Sequence, residues 1–178
     1  MQRLVTTLMC FLGFLTVVNA AHAVDETYMG FQVAGLEVEP DSTNESVDPS
    51  MLIGRLGGTT GNGLLFEGRV GTGLSDDTSG TGGNQLTVDV RYLVGGYGIL
   101  RGNVSETLFP YLIAGGTLLD LDAPGDAKVD GTETSLSYGV GFDARVSQSL
   151  SFGIEYMRYV DSGAFDLDAL SIGITGRF

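Results

Sequence analysis

The sequence predicts an all-β chain, folded as an eight-stranded antiparallel up-and-down transmembrane β-barrel. Three observations point there. In the last nine residues, Leu170, Ile172, Ile174 and Phe178 share one parity with Gly176, while Ser171, Gly173, Thr175 and Arg177 share the other. Successive side chains of a strand point to opposite faces, so one face is greasy and the other polar. Seven earlier segments of roughly ten residues repeat the pattern, and that is the length a tilted strand needs to cross a bilayer. Glycine makes up 28 of 178 residues without a collagen period, a density suited to curved strands and tight turns.

The chain begins with Arg3 in a short polar start, then an apolar run from Leu4 to Val18, then Ala21-His22-Ala23. This reads as a secretory signal peptide over 1–23, cleaved after Ala23, with the barrel occupying 24–178. The apolar run is shorter than the ~20 residues of a spanning helix. Cys10 is an apolar filler of that run, since Met9 stands where a lipoprotein cysteine needs a small residue. Cleavage removes the only cysteine and the only histidine, His22, so disulfides cannot stabilise the exported chain. No later segment is apolar for 18 residues, and alternation with weak hydropathy is what a strand-built membrane protein shows instead.

The strands follow in order. The first runs from about Thr27 to Leu36, with Met29, Phe31 and Val33 alternating against Tyr28, Gly30, Gln32 and Ala34. The second, 51–58, sets Leu52 and Leu56 against Arg55, and the third, from Leu64, sets Phe66, Val70 and Leu74 against Glu67 and Arg69. Asn62-Gly63 between them is a hairpin signal. The fourth, 85–98, sets Leu86, Val88, Val90, Tyr92 and Val94 against Gln85, Thr87, Asp89 and Arg91. The fifth, 109–119, is apolar on both parities, so its faces stay open. The sixth sets Leu136, Tyr138, Val140, Phe142 and Val146 against Ser135, Ser137, Asp143 and Arg145. The seventh sets Phe152, Ile154 and Tyr156 against Ser151, Gly153 and Glu155, and 170–178 is the eighth.

Connections alternate long and short, about 13, 5, 10, 7, 14, 3 and 6 residues, the loop-and-turn alternation of a membrane barrel. Charge follows them. Removing Arg3 with the leader leaves 8 basic against 22 acidic residues, so −13 becomes −14. The four long loops hold 15 of the acids, from Glu37 to Asp168, offset only by Lys128. The whole net charge is therefore expected on one rim, while the remaining charges cancel.

Gly54-Arg55-Leu56-Gly57, Leu64-Leu-Phe-Glu67-Gly-Arg69-Val-Gly71, Tyr138-Gly-Val-Gly-Phe-Asp143-Ala-Arg145 and Ile154-Glu155-Tyr156 together resemble the eight-stranded outer-membrane porin-like family. That family comprises the OmpA-type transmembrane domain and its small OmpX-like relatives. The resemblance covers residues 24–178. It implies the outer membrane of a Gram-negative-type bacterium, both termini in the periplasm and acidic loops outside. It also implies that Phe178, like the C-terminal Phe of such barrels, is the signal read by the barrel assembly machinery. The chain departs from the OmpA type by stopping at Phe178, with no peptidoglycan-binding domain, so no cell-wall tether carries over.

Eight-stranded barrels include lipid A deacylases and palmitoyl transferases, whose catalytic histidine has no counterpart in 24–178, so a Ser-His-acid hydrolase is excluded after cleavage. Inward carboxylates could serve acid–base chemistry, but each has an arginine near it in sequence that would keep it ionised. Asp120-Leu-Asp122-Ala-Pro-Gly125 opens like an EF-hand loop and fails at Pro124 and Gly131. Gly80-Thr-Gly-Gly83 lacks the strand-to-helix context of a phosphate loop. No catalytic residue, metal or cofactor is expected. The acidic surface argues against nucleic acid. It leaves lipid, and lipopolysaccharide reached through bridging divalent cations, as partners; what the loops bind is open.

With the polar parity inward, the lumen would hold Arg55, Glu67, Arg69, Asp89, Arg91, Asp143, Arg145, Glu155 and Arg177, nearly balanced in charge. A first turn centred on Gly61 would set Arg55 opposite Glu67. A second centred near Ser79 would set Arg69 opposite Asp89 and Glu67 opposite Arg91. An eight-stranded barrel is just wide enough for side chains to fill, so the expectation is a non-enzymatic envelope-structural or surface-interaction protein with a charged plug. The alternative is a narrow channel for small solutes or ions. A soluble ligand-binding barrel would instead turn Arg55, Arg69, Arg91 and Arg145 outward.

Overall fold

A computed structural model describes residues 26–40, 48–60, 63–75, 77–79, 86–122, 131–161 and 165–178. The leader 1–23 and most of the four long loops, with Lys128 and the EF-hand-like stretch beyond Asp122, lie outside them. Among the described residues nine strands form: β1 (Glu26–Pro40), β2 (Ser50–Thr59), β3 (Leu64–Ser75), β4 (Asp77–Ser79), β5 (Leu86–Arg101), β6 (Leu108–Asp122), β7 (Gly131–Arg145), β8 (Leu150–Asp161) and β9 (Phe165–Arg177). Neighbours pair antiparallel in the order β3-β2-β1-β9-β8-β7-β6-β5-β4, and an added β3–β5 ladder closes the ring. The three-residue β4 pairs only with the start of β5, which leaves eight strands in the barrel wall. β1 and β9 zip along 13 residue pairs, from Tyr28↔Arg177 to Pro40↔Phe165, so the first and last of these strands join and leave the wall no free edge.

The turn end carries the hairpins after β2, β5 and β7; the loop end carries the connections after β1, β3, β6 and β8. Gly63, with φ 77°, supplies the left-handed residue that lets β3 start directly after the first turn. At the next turn Ser105 Oγ accepts from the Leu108 amide at 3.0 Å, a side-chain cap that holds the loop to β6.

The greasy parity faces out. Phe31 is 54% exposed, Phe66 57%, Phe152 52% and Ile172 66%. Large apolar side chains stand exposed on seven of the eight barrel strands, and Leu52 and Leu56 on β2 are half-buried on the same face; they make a band that water does not tolerate and lipid does. The strands outrun the roughly ten residues expected, reaching 16 in β5. The extra length lies at the loop end, where the outer face turns polar. Glu37, Asp120, Asp122, Glu133, Asp166 and Asp168, expected in loops, are strand residues. Backbone pairing continues there because ladder hydrogen bonds do not depend on side-chain polarity. Arg158 on the outer face of β8 holds Asp168 at 2.7 Å and Asp166 at 3.9 Å, relieving like charges that the register brings together.

One question of faces is settled and one expectation corrected. On the fifth expected strand, whose faces the sequence left open, Tyr111 points into the barrel and is 5% exposed. On β5 the single clean alternation breaks at a bulge between Val90 and Tyr92. Val90 and Leu93 are both buried, while Tyr92 and Val94 face out. One extra residue in a strand flips every side chain beyond it.

Candidate functional site

The lumen is filled in layers. At mid-barrel stands a charged core. Arg69 on β3, 1% exposed, donates from Nε to Glu67 Oε1 at 2.6 Å and from its two terminal nitrogens to Glu155 at 2.6 and 2.7 Å. Its guanidinium lies 4.9 Å from the Tyr97 ring centroid and donates to Tyr159 Oη at 3.2 Å. Glu67 accepts from the Tyr28 hydroxyl at 2.7 Å, and Glu155 accepts from Tyr111 at 3.0 Å and Gln32 at 3.5 Å. One arginine shared by two carboxylates leaves a negative balance. Arg55 offsets it from 3.9 Å, while donating to Thr175 at 2.5 Å and standing 3.6 Å from Asp143. Buried charges persist only when paired and hydrogen-bonded this densely. A neutral chain flanks the core: the Tyr97 and Thr117 hydroxyls lie 2.6 Å apart, Thr117 and Ser137 2.6 Å apart, and Ser137 donates to the Tyr159 carbonyl at 2.8 Å.

Glycines set where the tyrosines lie. A methyl group at Gly57 would sit 2.4 Å from the Tyr28 ring, and one at Gly141 would sit 2.3 Å from Tyr111. One at Gly115 would sit 2.1 Å from the Gly96 carbonyl and 2.7 Å from Tyr97. Bare backbone opposite each ring lets it lie flat on the wall and point its hydroxyl into the core.

Above the charges, toward the loop end, the interior is apolar. Ala34, Leu36, Met51, Ile53, Leu93, Leu119, Leu121, Met157, Leu167 and Ala169 are each at most 3% exposed. The polar parity therefore fills only part of the lumen. In a barrel too narrow to hold bulk water, the far half closes by packing side chains.

The structure sorts the sequence-derived site residues. Arg55, Glu67, Arg69, Asp143, Glu155 and Arg177 are buried inside, and Arg145 is half-buried at the turn end. Asp89 and Arg91 are corrected: both are exposed at the loop end. Arg91 is the extra residue of the β5 bulge and pairs with Asp122 at 2.8 Å and Asp120 at 3.5 Å. The registers are corrected too. Arg55 stands opposite Arg69, Glu67 opposite Gly57 and Tyr97, and Arg69 opposite Gly95. The Arg55–Glu67 approach is diagonal, across side chains rather than along one rung. Sequence reasoning missed Arg101, which spacing put in a turn. It ends β5 facing inward, with its guanidinium 3.0 Å from Asp143. Tyr28, Gln32 and Thr175 were on the inward parity but uncharged, and so carried no signal by themselves.

Phe178 follows β9 and is 75% exposed, and its amide donates to the Thr27 carbonyl at 3.1 Å. That bond ties the last residue to the start of the first strand. Deleting Phe178 should lower the folded fraction in cells, read as heat-modifiability on gels, without lowering export. Equal folded fractions for deletion and parent would remove its role as an assembly signal.

The family model for the outer membrane protein beta-barrel domain matches residues 7–178. Among solved structures, Neisserial surface protein A aligns with TM-score 0.62 at 18% identity, covering 85% of this chain and 97% of that one. Ail, the attachment invasion locus protein of Yersinia pestis, aligns with TM-score 0.55 at 16% identity, covering 86% and 98%. The same Yersinia protein in complex with the heparin analogue sucrose octasulfate aligns at 0.53 and 16%, with the same coverage. At these identities the structures share the fold. A search of curated proteins finds no match.

Proposed function

The chain belongs to the outer-membrane β-barrel domain family, and from that membership we propose a non-enzymatic envelope protein that works through its acidic loop rim while its lumen stays shut. The carrying observation is the filled interior: the Glu67–Arg69–Glu155 core, with an apolar layer stacked above it. A channel usually shows one sign of charge predominating or a wall of small polar groups throughout, whereas the middle of this lumen holds paired charges of both signs under an apolar layer. Both ends of the wall's seam, Glu26 and Arg177, lie at the turn end. Export through a cleaved leader puts that end in the periplasm and the loops outside.

Seen from outside, the rim presents acid after acid on strands that project past the apolar band. Glu37 and Glu133 stand there, and Arg91 and Arg158 each sit between two aspartates. Such a rim repels polyanions. A sulfated ligand like the one bound to the Yersinia neighbour would find Arg91 and Arg158, the basic groups of the rim among the described residues, already held by aspartates. It suits divalent cations that bridge rim carboxylates to lipopolysaccharide phosphates. The purified barrel should melt at a higher temperature in millimolar Ca²⁺ or Mg²⁺ than in chelator at matched ionic strength. It should also associate with lipopolysaccharide vesicles only when the cation is present. Association that is equally strong in chelator would overturn the bridged-rim reading.

A further inference from the structure

The turn end of the lumen holds more positive charge than partners for it. Arg55, Arg101, Arg145 and Arg177 point into that end. The acids within ion-pair reach of them are Asp143, which serves both Arg55 and Arg101, Glu67, 3.9 Å from Arg55 but already held by Arg69, and Glu26, 3.9 Å from Arg177 and half exposed. Arg145 has no acid at all among the described residues. Its guanidinium lies 4.6 Å from the Phe109 ring centroid, and Arg101 lies 5.9 Å from the same ring. The Nε groups of Arg145 and Arg101 are buried without a hydrogen-bond partner. One aromatic ring thus carries two guanidiniums whose Nε donors are unspent.

Arg177, 9% exposed, reaches the same region from β9 and donates to Ser151 Oγ. That contact uses the Ser151 oxygen as acceptor and leaves its hydroxyl proton free to donate. Arg101, with a side chain 18% exposed, and the half-buried Arg145 open onto the mouth, so a solute reaches them without passing the plug. Like charges gathered in a narrow lumen cost free energy until an anion joins them.

We infer that the turn-end mouth is an oxyanion site for a phosphate group, held by Arg101, Arg145 and Arg177 with Ser151 as a neutral donor. Guanidiniums from three strands converge with a hydroxyl, and that array suits the several oxygens of a tetrahedral anion better than the two of a carboxylate. The phosphate could come from a phospholipid headgroup at the adjacent leaflet or from solution. The site rests on the lumen geometry alone and stands whether or not the rim binds cations.

The test is titration calorimetry on the folded barrel in neutral, phosphate-free detergent at constant ionic strength in chloride. One arm adds inorganic phosphate and the other a short-chain phosphatidylglycerol. Saturable binding is expected, weakened about tenfold or more by Arg145→Gln, the loss of one charge-assisted contact. Arg145→Lys should retain most of the affinity, and Arg158→Gln, on the outer face at the other end, should retain all of it. Binding in both arms assigns a general phosphate site; binding of the lipid alone assigns a headgroup site. Should Arg145→Gln fail to fold by heat-modifiability, Arg101→Gln carries the same expectation. No saturable binding in either arm, or binding indifferent to these arginines, overturns the site. So does binding that appears only in Glu26→Gln, which would mean that the chain's own carboxylate fills the mouth.

Discussion

Glu155→Ala should destabilise the folded barrel by about 3–5 kcal/mol, the usual cost of stranding one member of a buried ion pair. The carboxylate accepts both terminal nitrogens of Arg69, the Tyr111 hydroxyl and the Gln32 amide. Its removal leaves a fully enclosed guanidinium with Glu67 alone and uncaps two further donors. Glu155→Gln keeps an acceptor for Tyr111 but loses the charge, so it should fall between Ala and the parent. Combining Glu155→Ala with Arg69→Met should recover part of the loss, because an apolar pair in place of a buried ionic one can be near neutral. Chemical unfolding in lipid vesicles reads all three. A change under about 0.5 kcal/mol for Glu155→Ala would match a solvent-screened pair and would mean that water fills the lumen.

Gly115→Ala should cost about 3 kcal/mol or more, at the upper end of what overpacking costs. The added methyl would meet the Gly96 carbonyl at 2.1 Å and the Tyr97 backbone and ring at 2.7 Å. Backbone on a neighbouring strand cannot rotate away as a side-chain tip can, so the β5–β6 ladder must shift where Gly96 pairs with Gly116. Tyr97 would also be lifted from Arg69 and from Thr117. Gly116→Ala is the control, since its added methyl points into open space. The two variants should separate clearly in the same unfolding assay, and equal midpoints would show that β5 and β6 have slack.

The fold was legible because alternation is a local property. Met29, Phe31 and Val33, or Phe152, Ile154 and Tyr156, declare an outward face within a few residues, and the final Phe178 agrees with them. The charged core was partly legible for the same reason. Arg55, Glu67, Arg69 and Glu155 share the inward parity of their strands, and parity survives small errors in strand ends. Register did not survive, because it depends on where each turn is centred. The guesses placed Arg55 opposite Glu67, whereas the ladder places it opposite Arg69. Asp89 and Arg91 failed for a different reason: a bulge inserts one residue that no alternation reveals, and Arg91 is that residue. The apolar half of the lumen was hidden in plain view. Met51 and Ile53 share the parity of Arg55, and Met157 shares that of Glu155, yet apolar residues on a supposedly polar face read as noise. Only the closed wall shows that the far end of a narrow lumen has no water to repel them.

Closure of the lumen is the central claim, and planar-bilayer recording of the unmodified barrel tests it most directly. With the Arg69 core paired on both sides and the apolar layer sealed above it, no stable single-channel steps should appear at any moderate voltage, whichever salt is used. Steady, ion-selective conductance from the folded protein would contradict the filled lumen and make the barrel a channel.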